Sequence, residues 1–151
     1  MDIKDFLSPS YAMVDVRAPD KALLLQELAR RAATALNLAA DRISTELLKR
    51  EELGSTGTGG GVAIPHARMP EVKKPFGMLV RLKQAIKFDA IDGQSVDIVF
   101  LLLLPATPEA AQLNALACVT RKLRDSDTLR RLRRANDGAE LYNAMVSEVQ
   151  K

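Results

Sequence analysis

The chain has 151 residues, 47% of them hydrophobic and 27% charged, with a formal net charge of +3. A chain of this length buries roughly 68–70% of its unfolded surface around one core, and this composition excludes an intrinsically disordered protein. The longest apolar run, 98–104, falls far short of the roughly 18 residues that span a bilayer, no secretory leader pattern is present, and the lone Cys118 excludes an internal disulfide, so the expected setting is the reducing cytoplasm, with no membrane insertion.

In chain order, Val14-Asp15-Val16 alternates as a short strand, and Ala18-Pro19-Asp20 breaks it. Asp20 is placed to cap a helix running to about Leu36. In that helix Leu24, Leu25, Leu28, Ala32 and Leu36 share a face, while Arg30 and Arg31 face water. A second helix is expected from near Ile43 through Glu51, bringing Lys49-Arg50-Glu51 to the mouth of a glycine-rich stretch. Beyond it, Val62-Ala63-Ile64 reads as a strand stub that Pro65 ends, and Phe76–Leu82 as a longer strand. Asp92-Gly93 signals a turn. The near-continuous apolar run from Val96 to Leu104 predicts a central strand covered on both faces.

Pro105-Ala106-Thr107-Pro108 then ends this strand and starts a helix, with Thr107 as cap and Pro108 at the first helical position. Leu113, Leu116, Ala117, Thr120 and Leu123 are expected on its buried side, and Cys118 reads as core rather than nucleophile. Helices around Thr128–Arg134 and Ala139–Val149 complete the chain. The order of elements predicts an α/β fold: a single domain over residues 1–151, with a mixed β-sheet flanked by helices on both faces. Seven basic residues lie between Arg121 and Arg134, interrupted by Asp125 and Asp127 and without interleaved aromatics. That pattern fits solvated helix faces or an acidic protein partner better than nucleic acid, and no nucleic-acid partner is expected.

The glycine-rich stretch is Gly54-Ser55-Thr56-Gly57-Thr58-Gly59-Gly60-Gly61, which holds five of the chain's eight glycines. It reads as a loop that gives up side chains to bring backbone N–H groups close to something bulky and polar. The only histidine, His66, follows at its exit. No lysine lies between Gly54 and Arg68, which excludes a P-loop, and the dinucleotide fingerprint would place its last glycine on Val62. With one histidine and a distant cysteine no metal site is expected, and no G-x-S-x-G elbow accompanies Ser55 or Thr56.

Beside a Ser-His hydrolase through Ser55 or Thr56, the chemistry left open makes His66 itself the nucleophile: a neutral imidazole attacks a phosphoryl group in line and forms a phosphoramidate. Its second ring nitrogen then needs a proton acceptor that also fixes the tautomer. Charge on the phosphoryl oxygens calls for donors around it. Backbone N–H groups such as that of Gly57, the Ser55 and Thr56 hydroxyls, and the forked cations of Arg50 or Arg68 are the candidates, with no metal or other cofactor required.

The run Leu48 to Arg68, ending in Ile64-Pro65-His66-Ala67-Arg68, resembles the active-site signature of enzyme IIA domains of the fructose/mannitol type from the bacterial phosphotransferase system. The likeness extends to Leu101–Pro105, to the helix containing Leu113, and to Arg131-Leu132-Arg133 and Glu140-Leu141-Tyr142. Within that group the chain most resembles the nitrogen-regulatory enzyme IIA. The resemblance implies a phosphoryl carrier that accepts phosphate on His66 from a small, histidine-phosphorylated HPr-like protein, with Arg50 stabilising the phosphoryl oxygens. It also implies regulation of partner proteins by phosphorylation state, with potassium-transport and sensor proteins among the family's targets. The alternatives are a sugar-specific IIA that passes phosphate to a separate IIB and permease, and a transfer-deficient binding module. One departure stands out. Members usually carry a second histidine in the helix after the Leu-Leu-Pro strand, where this chain has Gln112, whose amide can donate a hydrogen bond but carries no charge.

Overall fold

The computed structural model describes residues 2–107 and 110–147, with the side chains of 110–113 outside that description. Strand β1 (Ala12–Val16) is followed by helices α1 (Lys21–Leu36) and α2 (Ala40–Glu52). Strands β2 (Gly57–Gly59), β3 (Val62–Ala63), β4 (His66–Met69), β5 (Phe76–Ile86) and β6 (Val96–Pro105) come next, and helices α3 (Ala110–Arg124), α4 (Ser126–Arg134) and α5 (Gly138–Val146) close the fold.

Local chemistry sets the helix ends. The Asp20 carboxylate accepts the Leu23 N–H at 2.8 Å and starts α1 one residue later, as its position predicted. Asn37 ends the helix in the left-handed region (φ 56°), which its short amide side chain tolerates. Asp125 and Asp137 cap α4 and α5 in the same way as Asp20. Helix α2 begins at Ala40, three residues ahead of the expected start, because Asp41 lies in its first turn instead of preceding it.

The sheet runs β1-β5-β6-β3-β2, with β4 also paired to β6. Strand β6 is antiparallel to β5 along one edge. Its other edge takes β3 and then β4, both parallel, with Val62 opposite Ile98 and His66 opposite Leu102. Between these two short partners the Pro65 carbonyl accepts the Leu102 N–H at 3.0 Å, so the ladder continues past a residue that has no donor. The mixed sheet is covered on both faces, as expected. One cluster joins it to α1 and α2 through Leu24, Leu25, Leu28, Ile43 and Leu47, and the other joins it to α3, α4 and α5 through Ala115, Val119, Leu132, Leu141 and Met145.

Three expectations need correction. Arg31 is not simply solvated: its Nε donates to Glu27 at 2.8 Å, and the side chain lies half-buried against Met13. The buried stripe of α3 is Ala115, Val119, Lys122 and Leu123, whereas Ala117 is exposed and Leu116 and Thr120 are half-buried. That helix is turned to lay Ala115 and Val119 in the second cluster, and Leu116, packed partly against the same cluster, also lines a cleft. The glycine-rich stretch is not an open loop but a hairpin of β2 and β3. Pro108 and Val149 lie outside the described residues, as does the side chain of Leu113. Cys118 packs half-buried against the second cluster. Among the described residues no helix is long and apolar enough to cross a membrane.

Candidate active site

The hairpin shows why this stretch needs glycine. A Cβ on Gly57 would lie 2.8 Å from the Ala90 Cα, a backbone atom that cannot step aside. Gly61 sits at φ +81°, and a Cβ there would meet Arg133 Nη2 at 2.5 Å. Arg133 forks onto Asp97 (Nε 3.0 Å, Nη2 2.9 Å) and donates to the Gly60 carbonyl at 2.7 Å, which ties α4 to the hairpin tip. Close approach of the protein to itself, rather than to a ligand, accounts for these two glycines.

The Ser55 and Thr56 hydroxyls were candidate phosphoryl donors, but each has its single proton engaged. Ser55 Oγ donates to the Phe88 carbonyl at 2.7 Å and accepts the Gly57 N–H at 3.0 Å. Thr56, buried, donates from its hydroxyl to Glu51 Oε2 and from its backbone N–H to Oε1 at 3.0 Å. Gly57 therefore offers its N–H to Ser55 and not to a ligand. All three residues brace the wall behind the histidine. The sequence reading passed over Glu51 as a site residue, although a carboxylate beside Arg50 at a helix end was visible; its side chain is only 5% exposed and accepts Lys21 Nζ at 3.0 Å.

His66 opens β4, half-buried at the floor of an open cleft of about 430 Å³. Arg50, Lys49 and Arg68 contribute cations to the cleft, Glu46 an anion, and Leu53, Leu104 and Leu116 apolar surface. Strand alternation places the neighbours: Ala67 and Met69 point into the core, and Arg68 stays exposed on the cleft side. Arg50 comes from the last turn of α2 and donates from Nη1 to the Gly54 carbonyl at 2.8 Å, its one hydrogen bond among the described residues. The rest of the guanidinium fork stays open to the cleft. Arg68 forms no hydrogen bond or ion pair among the described residues and is equally open to an incoming anion. The side chain of Gln112 lies outside the described residues.

Among the described residues the imidazole makes one hydrogen bond, Nδ1 to the Ile64 carbonyl at 2.8 Å. A carbonyl oxygen can only accept, so Nδ1 carries the proton and Nε2 keeps the lone pair. Burial pushes the His66 pKa below the ordinary histidine value of 6.5; Arg50 and Arg68 push the same way, and the Ile64 carbonyl and Glu51 oppose them. The site thus joins a neutral nucleophilic nitrogen to unpaired guanidinium donors. Among the described residues no three His, Cys, Asp or Glu side chains gather as a metal site.

Comparison with known proteins places the chain in a family. A "Nitrogen regulatory protein" of Bradyrhizobium diazoefficiens is 41% identical over 146 residues, covering 97% of this chain and 95% of that protein. Another of the same description, from Escherichia coli K12, is 40% identical over 132 residues, covering 87% and 81%. The crystal structure of nitrogen regulatory protein IIA-Ntr from Neisseria meningitidis superposes with a TM-score of 0.89 at 30% identity, over 95% of this chain and 98% of that one. The family model described as "Phosphoenolpyruvate-dependent sugar phosphotransferase system, EIIA 2" matches residues 5–148. With its fold and nearly its whole length matched, this chain belongs to the EIIA 2 family of phosphotransferase-system phosphoryl carriers.

Proposed function

We propose that the protein carries a phosphoryl group on His66 Nε2, takes it from a histidine-phosphorylated HPr-like protein in the cytoplasm, and regulates partner proteins by its phosphorylation state. The observation that carries this reading is the Nδ1–H bond to the Ile64 carbonyl, which leaves Nε2 as the nucleophile. In the transfer the donor's P–N bond breaks, its imidazole keeps the electron pair, and a new P–N bond forms at Nε2. The Nδ1 proton stays where it is, shared with Ile64 O, as positive charge develops on the ring. Arg50 and Arg68 stand at the cleft to stabilise the equatorial oxygens, which makes a metal unnecessary. Exchange between two histidines is close to symmetric, so the step runs in both directions.

The regulatory half of the reading rests on charge. Phosphorylation adds roughly two negative charges to a cleft with three basic side chains on it. Leu53, 85% exposed, and Leu116 lie beside the same opening, so a partner docked on that apolar rim meets a cleft whose net positive charge is cancelled after transfer. The nitrogen-regulatory relatives favour this branch over a sugar-specific component.

The test is incubation with phosphorylated carrier protein, followed by intact mass and acid lability of the adduct. Wild type should gain one acid-labile phosphate and His66→Ala none; no gain in wild type, or an equal gain in the variant, refutes the proposal.

A further inference from the structure

We propose that Glu51 is a positioning residue for His66: through Thr56 and Ile64 it fixes the carbonyl that holds the imidazole in one tautomer. The kinetic part of this proposal rests on His66 being the phosphoryl acceptor; the tautomer part does not.

The relay is continuous. Glu51 takes both the N–H and the hydroxyl of Thr56. The Thr56 carbonyl accepts the Ile64 N–H at 3.0 Å, and the Ile64 carbonyl accepts Nδ1–H of His66 at 2.8 Å. Ile64 is also held by its buried side chain in the second core cluster and by the Pro65 carbonyl on Leu102, and the Thr56 bond adds the anchor that leads back to α2. Strand β3 ends at Ala63, β4 begins at His66, and Pro65 between them has no N–H to donate. The bond from Thr56 anchors the Ala63–Ile64 peptide, one peptide unit ahead of the carbonyl that meets His66, and Glu51 fixes Thr56.

Lys21 supplies the countercharge to this buried carboxylate. Its Nζ lies 3.0 Å from Glu51, is 4.6 Å over the Phe88 ring and donates to the Phe88 carbonyl at 3.4 Å, so the ammonium is itself held from two sides. The carboxylate faces the hairpin and Lys21, and so ties α2 both to the start of α1 and to the segment leading to His66. A residue needed only for stability could be replaced without altering the imidazole's protonation pattern. A positioning residue could not.

Because the chain has a single histidine, 15N labelling of histidine gives one pair of ring resonances, which reports the tautomer of the unphosphorylated protein directly. Wild type should show only the Nδ1–H form. Glu51→Ala should show a mixture of both tautomers. Its kcat for phosphorylation should drop by about 10²-fold, the scale of a small misplacement of a reacting group, with KM for the carrier unchanged. Glu51→Gln keeps an acceptor for the Thr56 N–H and should recover the Nδ1–H form and most of the rate. A folded Glu51→Ala protein with the wild-type tautomer overturns the proposal, whatever its rate. If Glu51→Ala does not fold, Thr56→Val decides by the same readout: mixed tautomers support the relay and a pure Nδ1–H form overturns it. If wild type never accepts phosphate, the proposed function fails while the tautomer result still decides the role of Glu51.

Discussion

Replacing Gly61 with alanine should destabilise the protein through a residue on a different helix. The φ of +81° costs an alanine about 1–2 kcal/mol. The new Cβ also occupies space within 2.5 Å of Arg133 Nη2 and 2.9 Å of Asp97 Oδ1, so the guanidinium fork has to leave. Losing a half-exposed, forked ion pair costs about 1 kcal/mol, and leaving the Gly60 carbonyl without its donor costs a similar amount where water does not replace it. The sum is about 3–4 kcal/mol, which for a domain of this size lowers Tm by roughly 6–16 °C. Thermal and urea unfolding followed by circular dichroism measure it. The decisive comparison is a double-mutant cycle: in an Arg133→Ala background the same substitution should cost only the backbone strain, about 1–2 kcal/mol. A Gly61→Ala protein as stable as wild type, or strictly additive effects in the cycle, would refute the reasoning.

Three further outcomes bear on the cleft. Arg50→Ala should slow phosphoryl transfer by about 10³-fold or more, in line with arginines that stabilise transferring phosphoryl groups, and a folded variant with wild-type rates in a stopped assay excludes that role. Because burial lowers the His66 pKa, the transfer rate should stay level as pH falls through 6.5 and decline only below it; an NMR titration of the single histidine giving a value above 6.5 contradicts this. The sign for stability is the reverse of a salt-bridged histidine: above 6.5 the ring is neutral in both states and contributes nothing, and as pH falls below 6.5 the unfolded chain protonates first, so His66→Gln should remove part of the acid loss of stability seen in urea midpoints.

Local signals made much of the fold readable from the chain. Asp20 announced α1, the apolar run 96–104 announced a central strand, and paired strands and helices announced layers on both faces of a sheet. Less readable was whatever depends on distant partners. Strand β4 went unseen because Pro65 reads as a terminator, yet its pairing is with Leu102–Pro105, far along the chain. The phase of α3 followed the fit of Ala115 and Val119 against β6, which periodicity alone cannot weigh against Leu116. At the cleft, His66, Arg50 and Arg68 were legible as candidates, and all three line it. Ser55 and Thr56 were assigned outward because a hydroxyl near a glycine run suggests a ligand; the carbonyl of Phe88 and the carboxylate of Glu51 claim them instead. Glu51 was hidden by its own neighbour, since a helix end rich in charge reads as solvated until the tertiary fold buries one member.

Strand β6 sends Ile98, Phe100, Leu102 and Leu104 into one core cluster and Val96, Val99, Leu101 and Leu103 into the other. The two helical layers therefore share one wall and cannot melt separately: loosening either exposes the back of the strand that supports the other. His66 pairs with that same strand, so the proposed phosphoryl acceptor is anchored to the wall that both layers share. A carrier of the kind proposed would keep its reactive nitrogen still on this wall, with the apolar side chains at the cleft left on helix ends to meet a partner.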